Sequence, residues 1–350
     1  MKILHVGIWQ DDEVGEVILE KGLLLNGHEV SRFDYRGLAS KFGVEGMNNM
    51  IIDQATKMNC EMVFIGKGEL VNRKTLHKLR KKGIIVTLWY GDYRKPPNNW
   101  LIDNLHETDF FFSTSGGSTL QSYFEKGSPG VASFFIVPSD PELSMKWRFY
   151  PRGTKDVVFT GSNHNLGGFG IGGLERNQTI DYLTTRDDVE FWGYYKSTNN
   201  YKNQLMRFLE RLTQSRFHSK WISGDEYIRA IISAKIGVGV SLVQNIQKYS
   251  SVRLQHYLMF GTFYLAWHFP QIEELFNVGR ELVCFHNVKE LEDNIDYYLV
   301  NDKERETIAK NGQSAMIDRY NTKNIMGMIL DVIEKGSSRR FPWIEILSNK

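Results

Sequence analysis

Apolar and polar positions along the chain switch between two periods. Residues 3–8 form a short apolar run of strand type, and residues 14–26 repeat apolar positions at helical spacing up to Gly27, a helix stop. The alternation continues with a strand at 28–33, a helix at 47–58, a strand at 62–65 and a helix at 73–82 ended by Gly83. Then come a strand at 84–89, a helix at 98–106, a strand at 109–113, a helix at 119–126 and a strand at 131–136. Pro138, Pro141 and Pro151 interrupt the pattern, and residues 138–152 predict no element, so a domain junction is expected there. The alternation restarts with a strand at 156–160, a helix at 174–183, a strand at 189–192 and a helix at 201–213. Segments 219–222, 224–233, 236–240, 252–260, 262–266, 273–276, 282–285 and 288–300 follow, then helical patterns at 302–320 and 322–335.

Strands that alternate with helices predict parallel sheets covered on both faces. The expected organisation is two doubly wound α/β domains, 1–150 and 151–321, followed by a helix and tail at 322–350. Ligands in such sheets bind beyond the carboxyl ends of the strands.

Composition narrows the class. The chain has 350 residues, with 43 Lys and Arg against 41 Asp and Glu, a formal charge of +2. That balance excludes an acidic tail and an overall cationic coat, although six basic residues between Arg73 and Lys82 make one local patch. Cys60 and Cys284 stand far apart, which excludes a disulfide framework and a cysteine zinc site. No His, Asp and Glu cluster has metal-ligand spacing. The apolar start runs into Asp11, Asp12 and Glu13, unlike a secretory leader. The uncharged stretch 254–272 contains two histidines, two glutamines and a proline, so no membrane span is expected and the compartment expected is the cytoplasm.

Two segments carry candidate chemistry. The first is the loop Phe159-Thr160-Gly161-Ser162-Asn163-His164-Asn165-Leu166-Gly167-Gly168-Phe169-Gly170-Ile171-Gly172-Gly173, between a strand and a helix. Six glycines allow a ligand to approach the backbone, and the following helix start favours an anion such as a phosphate. A formal GxGxxG at Gly168, Gly170 and Gly173 lies too far beyond the strand for a dinucleotide fingerprint. The second segment is 250–290, where Arg253 and Gln255 open a helix after a strand. Arg253 suits a diphosphate, and the Gln255 amide suits sugar hydroxyls. The plainer alternatives are a surface loop, a surface cation and a solvated helix residue.

Arg253, Gly261, Glu274, Gly279-Arg280-Glu281, Val283 with Phe285, and Glu290-Leu291 resemble the C-terminal module of CgeB-like glycosyltransferases of the spore-maturation type. Val158-Phe159-Thr160-Gly161-Ser162 with Glu175-Arg176, and Tyr297-Tyr298-Leu299 with Glu304-Arg305, extend the resemblance over roughly residues 156–320. In the first half, Phe64-Ile65-Gly66-Lys67-Gly68-Glu69 is similar more loosely. The resemblance implies a GT-B fold, two Rossmann-like domains facing a cleft, with the last helix and tail at 322–350 crossing back onto the first domain. The second domain would hold a nucleotide-sugar donor, UDP-linked, and the first an acceptor. No metal or other cofactor would be required, because arginines and helix dipoles can stabilise a leaving diphosphate. One departure stands out: Gln255 occupies the position where the family usually has Glu, which contacts the donor ribose in related enzymes. Gln247 replaces a second Glu that such enzymes often carry eight residues earlier.

On this reading Gly161, Ser162, Arg176 and Arg253 meet the diphosphate, Gln255 the ribose, and Glu274 the sugar or its supporting loop. Asp92, flanked by Trp89, Tyr90 and Tyr93, and Asp12 are the candidate acceptor-side bases. Trp89, Tyr90, Ser115, Arg73 and Lys74 are candidate acceptor contacts. The acceptor is a glycan, a protein or a modified base in DNA. A non-catalytic nucleotide-sugar-binding protein and an NAD(P)-dependent oxidoreductase are the competing readings.

Overall fold

A computed structural model describes residues 1–9, 15–94, 96–128, 130–133, 138–161, 173–193, 216–218, 220 and 222–348. The expected helix at 201–213 lies outside the described residues. The chain divides into two compact units. The first comprises Met1–Pro138, Ile246–Lys248 and Asn321–Lys350, and the second Ser139–Asn245 and Tyr249–Tyr320.

The first unit is built on a sheet of strands β1 (Lys2–Gly7), β2 (Glu29–Asp34), β3 (Met62–Gly66), β4 (Ile85–Tyr90), β5 (Phe110–Ser113), β6 (Gly130–Ser133) and β13 (Ile346–Ser348). Their order is β13-β6-β5-β4-β3-β1-β2. All neighbours are parallel except β13, which runs antiparallel to β6 with Ile346 opposite Ala132. Every residue of β3 is buried, as expected for an apolar run inside a parallel sheet. Helix Tyr35–Lys57 starts well before the predicted residue 47, with the Asp34 carboxylate accepting from Gly37 N, and bends at Gly43 (φ 76°). Helix Glu16–Leu25 packs against helix Thr322–Lys335. Gly22 makes that approach possible: a Cβ there would lie 2.4 Å from both Met326 Cγ and Thr322 Oγ1.

The second unit is an all-parallel sheet of β7 (Lys155–Thr160), β8 (Val189–Trp192), β9 (Phe217–His218), β10 (Ala234–Gly239), β11 (Phe263–Trp267) and β12 (Val283–Phe285), in the order β12-β11-β10-β7-β8-β9. Val157, Phe159, Val238, Leu265 and Phe285 form its fully buried centre. The stretch 138–152 is not without structure. It contains helix Pro141–Lys146, capped by Asp140 with proline in its first turn, and the units divide ahead of it at Pro138/Ser139. The strand read at 219–222 is displaced: the described strand is β9 at Phe217–His218. The helical pattern at 302–320 divides into an α-helix, Asp302–Ser314, and a π-helical turn, Ala315–Arg319. Among the described residues no helix is long and apolar enough to cross a membrane.

Candidate active site

In an open parallel sheet the strand order reverses at one place, and the crevice beyond the carboxyl ends there is where ligands bind. In the second unit that place lies between β7 and β10. Gly161 follows β7, with its N–H donating to Trp192 O at 2.7 Å, and Val240 follows β10. Two arginines from different helices meet at this point. Arg176, in helix Leu174–Leu183, donates from Nη1 to Val240 O at 2.5 Å. Arg253, in helix Val252–Met259, donates from Nη2 to the same oxygen at 3.1 Å. Gly161 leaves room for the pair, since a Cβ there would stand 3.1 Å from Arg176 Nη2.

The surroundings make these charges costly. Burial, and then the Arg253 charge, lower the Arg176 pKa to about 9, so it still carries its proton at neutral pH. Arg253 has no carboxylate partner among the described residues, and its buried Nε makes no hydrogen bond. Beneath them lies an aromatic layer fitted to the glycines of β10. A Cβ at Gly237 would strike the Tyr257 ring, and one at Gly239 the Tyr264 hydroxyl. Tyr257 donates to Val158 O at 3.2 Å. His256 Nδ1 lies 3.1 Å from the Tyr227 hydroxyl. Burial, with Arg253 adding to it, holds the His256 pKa down at about 4, which keeps the ring neutral beside the guanidinium. Two like charges drawn onto one carbonyl over a poorly hydrated floor suit a bound dianion.

The other expected donor residues are placed differently. Ser162 lies outside the described residues. Gln255 is buried, 1% exposed. With its amide oxygen accepting from Ser250 Oγ at 3.0 Å, its nitrogen donates to Ser251 O and Val252 O at 3.0 and 3.1 Å. That amide secures the start of its own helix, a position open to no ribose hydroxyl. Glu274 is exposed on the short helix Ile272–Leu275 and accepts from Gln271 Nε2 at 2.8 Å. Among the described residues no group of three or more His, Cys, Asp or Glu is placed to hold a metal ion.

In the first unit Asp12 lies outside the described residues. Asp92 is about a third exposed and pairs with Lys67 Nζ at 3.3 Å. Lys67 itself is a non-glycine residue at positive φ (63°), a strained conformation of the kind found at functional turns. Tyr90 belongs to the core: it is 3% exposed, packs edge-on against Trp100, and accepts from Asn98 Nδ2 at 3.1 Å. Trp89, the residue before the end of β4, is half-buried with its ring against Gly91. Ser115 is buried, and its N–H is already donated to Ser113 Oγ. Arg73, with His77 and Arg80, pairs with Glu107 along one face of helix Arg73–Lys81, while Lys74 is exposed. Gln247 is also accounted for. Its Oε1 accepts from Ser118 N at 3.2 Å and fills the space that Gly117 leaves at the start of helix Gly117–Glu125.

Sequence reasoning missed His256, Tyr257 and Tyr264. The alternate glycines of β10 facing two tyrosines were the available signal.

Residues 176–331 match the family model described as glycosyl transferase-like. No curated protein matches the chain. Among solved structures, Anabaena HepE in complex with UDP-glucose is 13% identical at a TM-score of 0.63, over 95% of this chain and 99% of that one. Sucrose-phosphate synthase from Thermosynechococcus elongatus is 10% identical at a TM-score of 0.62, over 96% and 98%. At such identities the likeness establishes the fold. The chain is a GT-B protein of two parallel-sheet α/β domains, with a glycosyl transferase-like match running from Arg176 to Asp331.

Proposed function

We propose that this protein is a glycosyltransferase that moves a sugar from a UDP-linked donor to a hydroxyl acceptor, with no metal required. The observation that carries this reading is the convergence of Arg176 and Arg253 on Val240 O, at the strand-order reversal of the second unit. A diphosphate would neutralise both guanidiniums and stay bound to them as the leaving group. HepE, which shares the fold, is known with UDP-glucose bound. The CgeB-like subtype and a cytoplasmic location remain part of the proposal. A glycan or protein acceptor is favoured over modified DNA, because Glu107 and Asp109 take up the charge of Arg73 and Arg80.

The test is calorimetric titration with UDP, UDP-glucose, GDP and NAD(P). UDP and UDP-glucose are expected to bind, and Arg253→Ala to weaken them by roughly ten-fold or more, the worth of one charged hydrogen bond. Binding of NAD(P) alone would make the protein an oxidoreductase. A second reading, a non-catalytic nucleotide-sugar-binding protein, draws support from the two glutamines, Gln247 and Gln255, whose amides hold helix starts. It predicts UDP-glucose binding without UDP release.

A further inference from the structure

The first unit contains a buried acid–imidazole pair that the donor site does not use. His5, in β1, is fully buried, and its Nε2 lies 2.7 Å from Glu16 Oε2. The ring stands edge-on to Trp9 and Phe64, and Nδ1 has no partner among the described residues. An imidazolium here would bury a second N–H with no acceptor. Nε2 carries the hydrogen that is donated to the carboxylate. Glu16 opens helix Glu16–Leu25, and its side chain is 8% exposed. Two glycines make its seat. A Cβ at Gly66, the last residue of β3, would lie 2.1 Å from Glu16 Oε1, and one at Gly7, the last residue of β1, would lie 2.9 Å from Cγ. β1 and β3 are the neighbours between which this sheet's strand order reverses. The carboxylate thus spans the carboxyl ends of the two strands where an open sheet receives its ligand.

We propose that Glu16 is the catalytic residue that receives the acceptor hydroxyl, with His5 as its positioning residue; this rests on the glycosyltransferase reading above. Asp92 is the weaker candidate because its carboxylate is paired with Lys67. In the step, the acceptor oxygen bonds to the anomeric carbon as the bond from that carbon to the diphosphate oxygen breaks. The nucleoside diphosphate leaves with the electron pair, and the hydroxyl proton passes to the Glu16 carboxylate. With water as acceptor the products are free sugar and UDP. His5, donating to Oε2, leaves Oε1 to take the proton.

The experiment measures UDP release from UDP-glucose in water, alongside UDP affinity, for the full chain and for Glu16→Gln, Glu16→Ala and His5→Gln. Turnover is expected to fall at least about a hundred-fold in both Glu16 variants with UDP affinity unchanged, as loss of acid–base assistance predicts. Formate is expected to restore part of the turnover of Glu16→Ala, which a purely structural role would not allow. His5→Gln is expected to lower kcat while KM for UDP-glucose stays put. Wild-type turnover in Glu16→Gln overturns the proposal, whereas a wild-type protein that binds UDP-glucose without releasing UDP overturns the glycosyltransferase reading on which it rests. A wild-type protein that binds no UDP instead overturns the donor assignment itself.

Discussion

Arg176 Nη1 and Arg253 Nη2 donate to a single acceptor, the Val240 carbonyl oxygen, at 2.5 and 3.1 Å. Without a ligand this arrangement holds two like charges together in a poorly hydrated place, so it costs stability. Arg253→Gln should therefore leave the unliganded protein as stable as the wild type or more so, while weakening UDP binding. Paired thermal melts with and without UDP check this, and a lower melting point of the unliganded variant would refute it.

Gln255 is expected to resist a return to glutamate. A carboxylate at this buried position cannot donate to Ser251 O and Val252 O and would face both carbonyls instead. Gln255→Glu should lower stability by about 1–3 kcal/mol, read by urea denaturation. Equal or greater stability would show that the amide donors are not needed.

His256 makes the fold acid-sensitive. An unfolded histidine takes up its proton near pH 6.5, whereas burial first and Arg253 second hold His256 at about 4. Between those values the unfolded chain binds more protons. This contribution is complete above about pH 6.5 and is lost as the pH falls towards 4. Its size is at most about 3 kcal/mol. His256→Gln should lose less stability than the wild type between pH 7.5 and 5. Parallel losses in the two proteins would place the sensitivity elsewhere.

Gly22 sits where helix Glu16–Leu25 meets helix Thr322–Lys335. Helix propensity alone would favour alanine there. The clash with Met326 and Thr322 should instead make Gly22→Ala destabilising by about 1–3 kcal/mol in equilibrium denaturation. The half-buried Gly46, whose added Cβ meets only Phe42 Cβ at 3.3 Å, is the control and should tolerate alanine.

Much of the architecture was legible from hydrophobic period. Helices Leu174–Leu183, Val288–Val300 and Thr322–Lys335 begin and end where the pattern says. The misses have local causes. Pro141 was read as a breaker, yet proline is at home in a first helical turn, and Asp140 supplies the cap. The first part of helix Tyr35–Lys57 is hidden by Gly37, Gly43 and Gly46. β13 has three residues and pairs with a strand more than two hundred positions away, so no local period announces it. The candidate site was half legible. Arg176 and Arg253 stand out by type and context, but their shared carbonyl is a product of tertiary packing. His5 and Glu16 gave no signal, because what unites them is the space above two glycines in different strands.

The way the first unit borrows β13 and helix Thr322–Lys335 sets an order of events during synthesis. Once β6 has left the ribosome, roughly two hundred further residues must follow before its outer edge finds β13. At typical elongation rates that interval is on the order of ten to forty seconds. For that time a nascent chain carries an uncovered strand edge and a bare face of helix Glu16–Leu25. Residues 139–245 and 249–320 can mature meanwhile as an insert, and the host that surrounds them closes last.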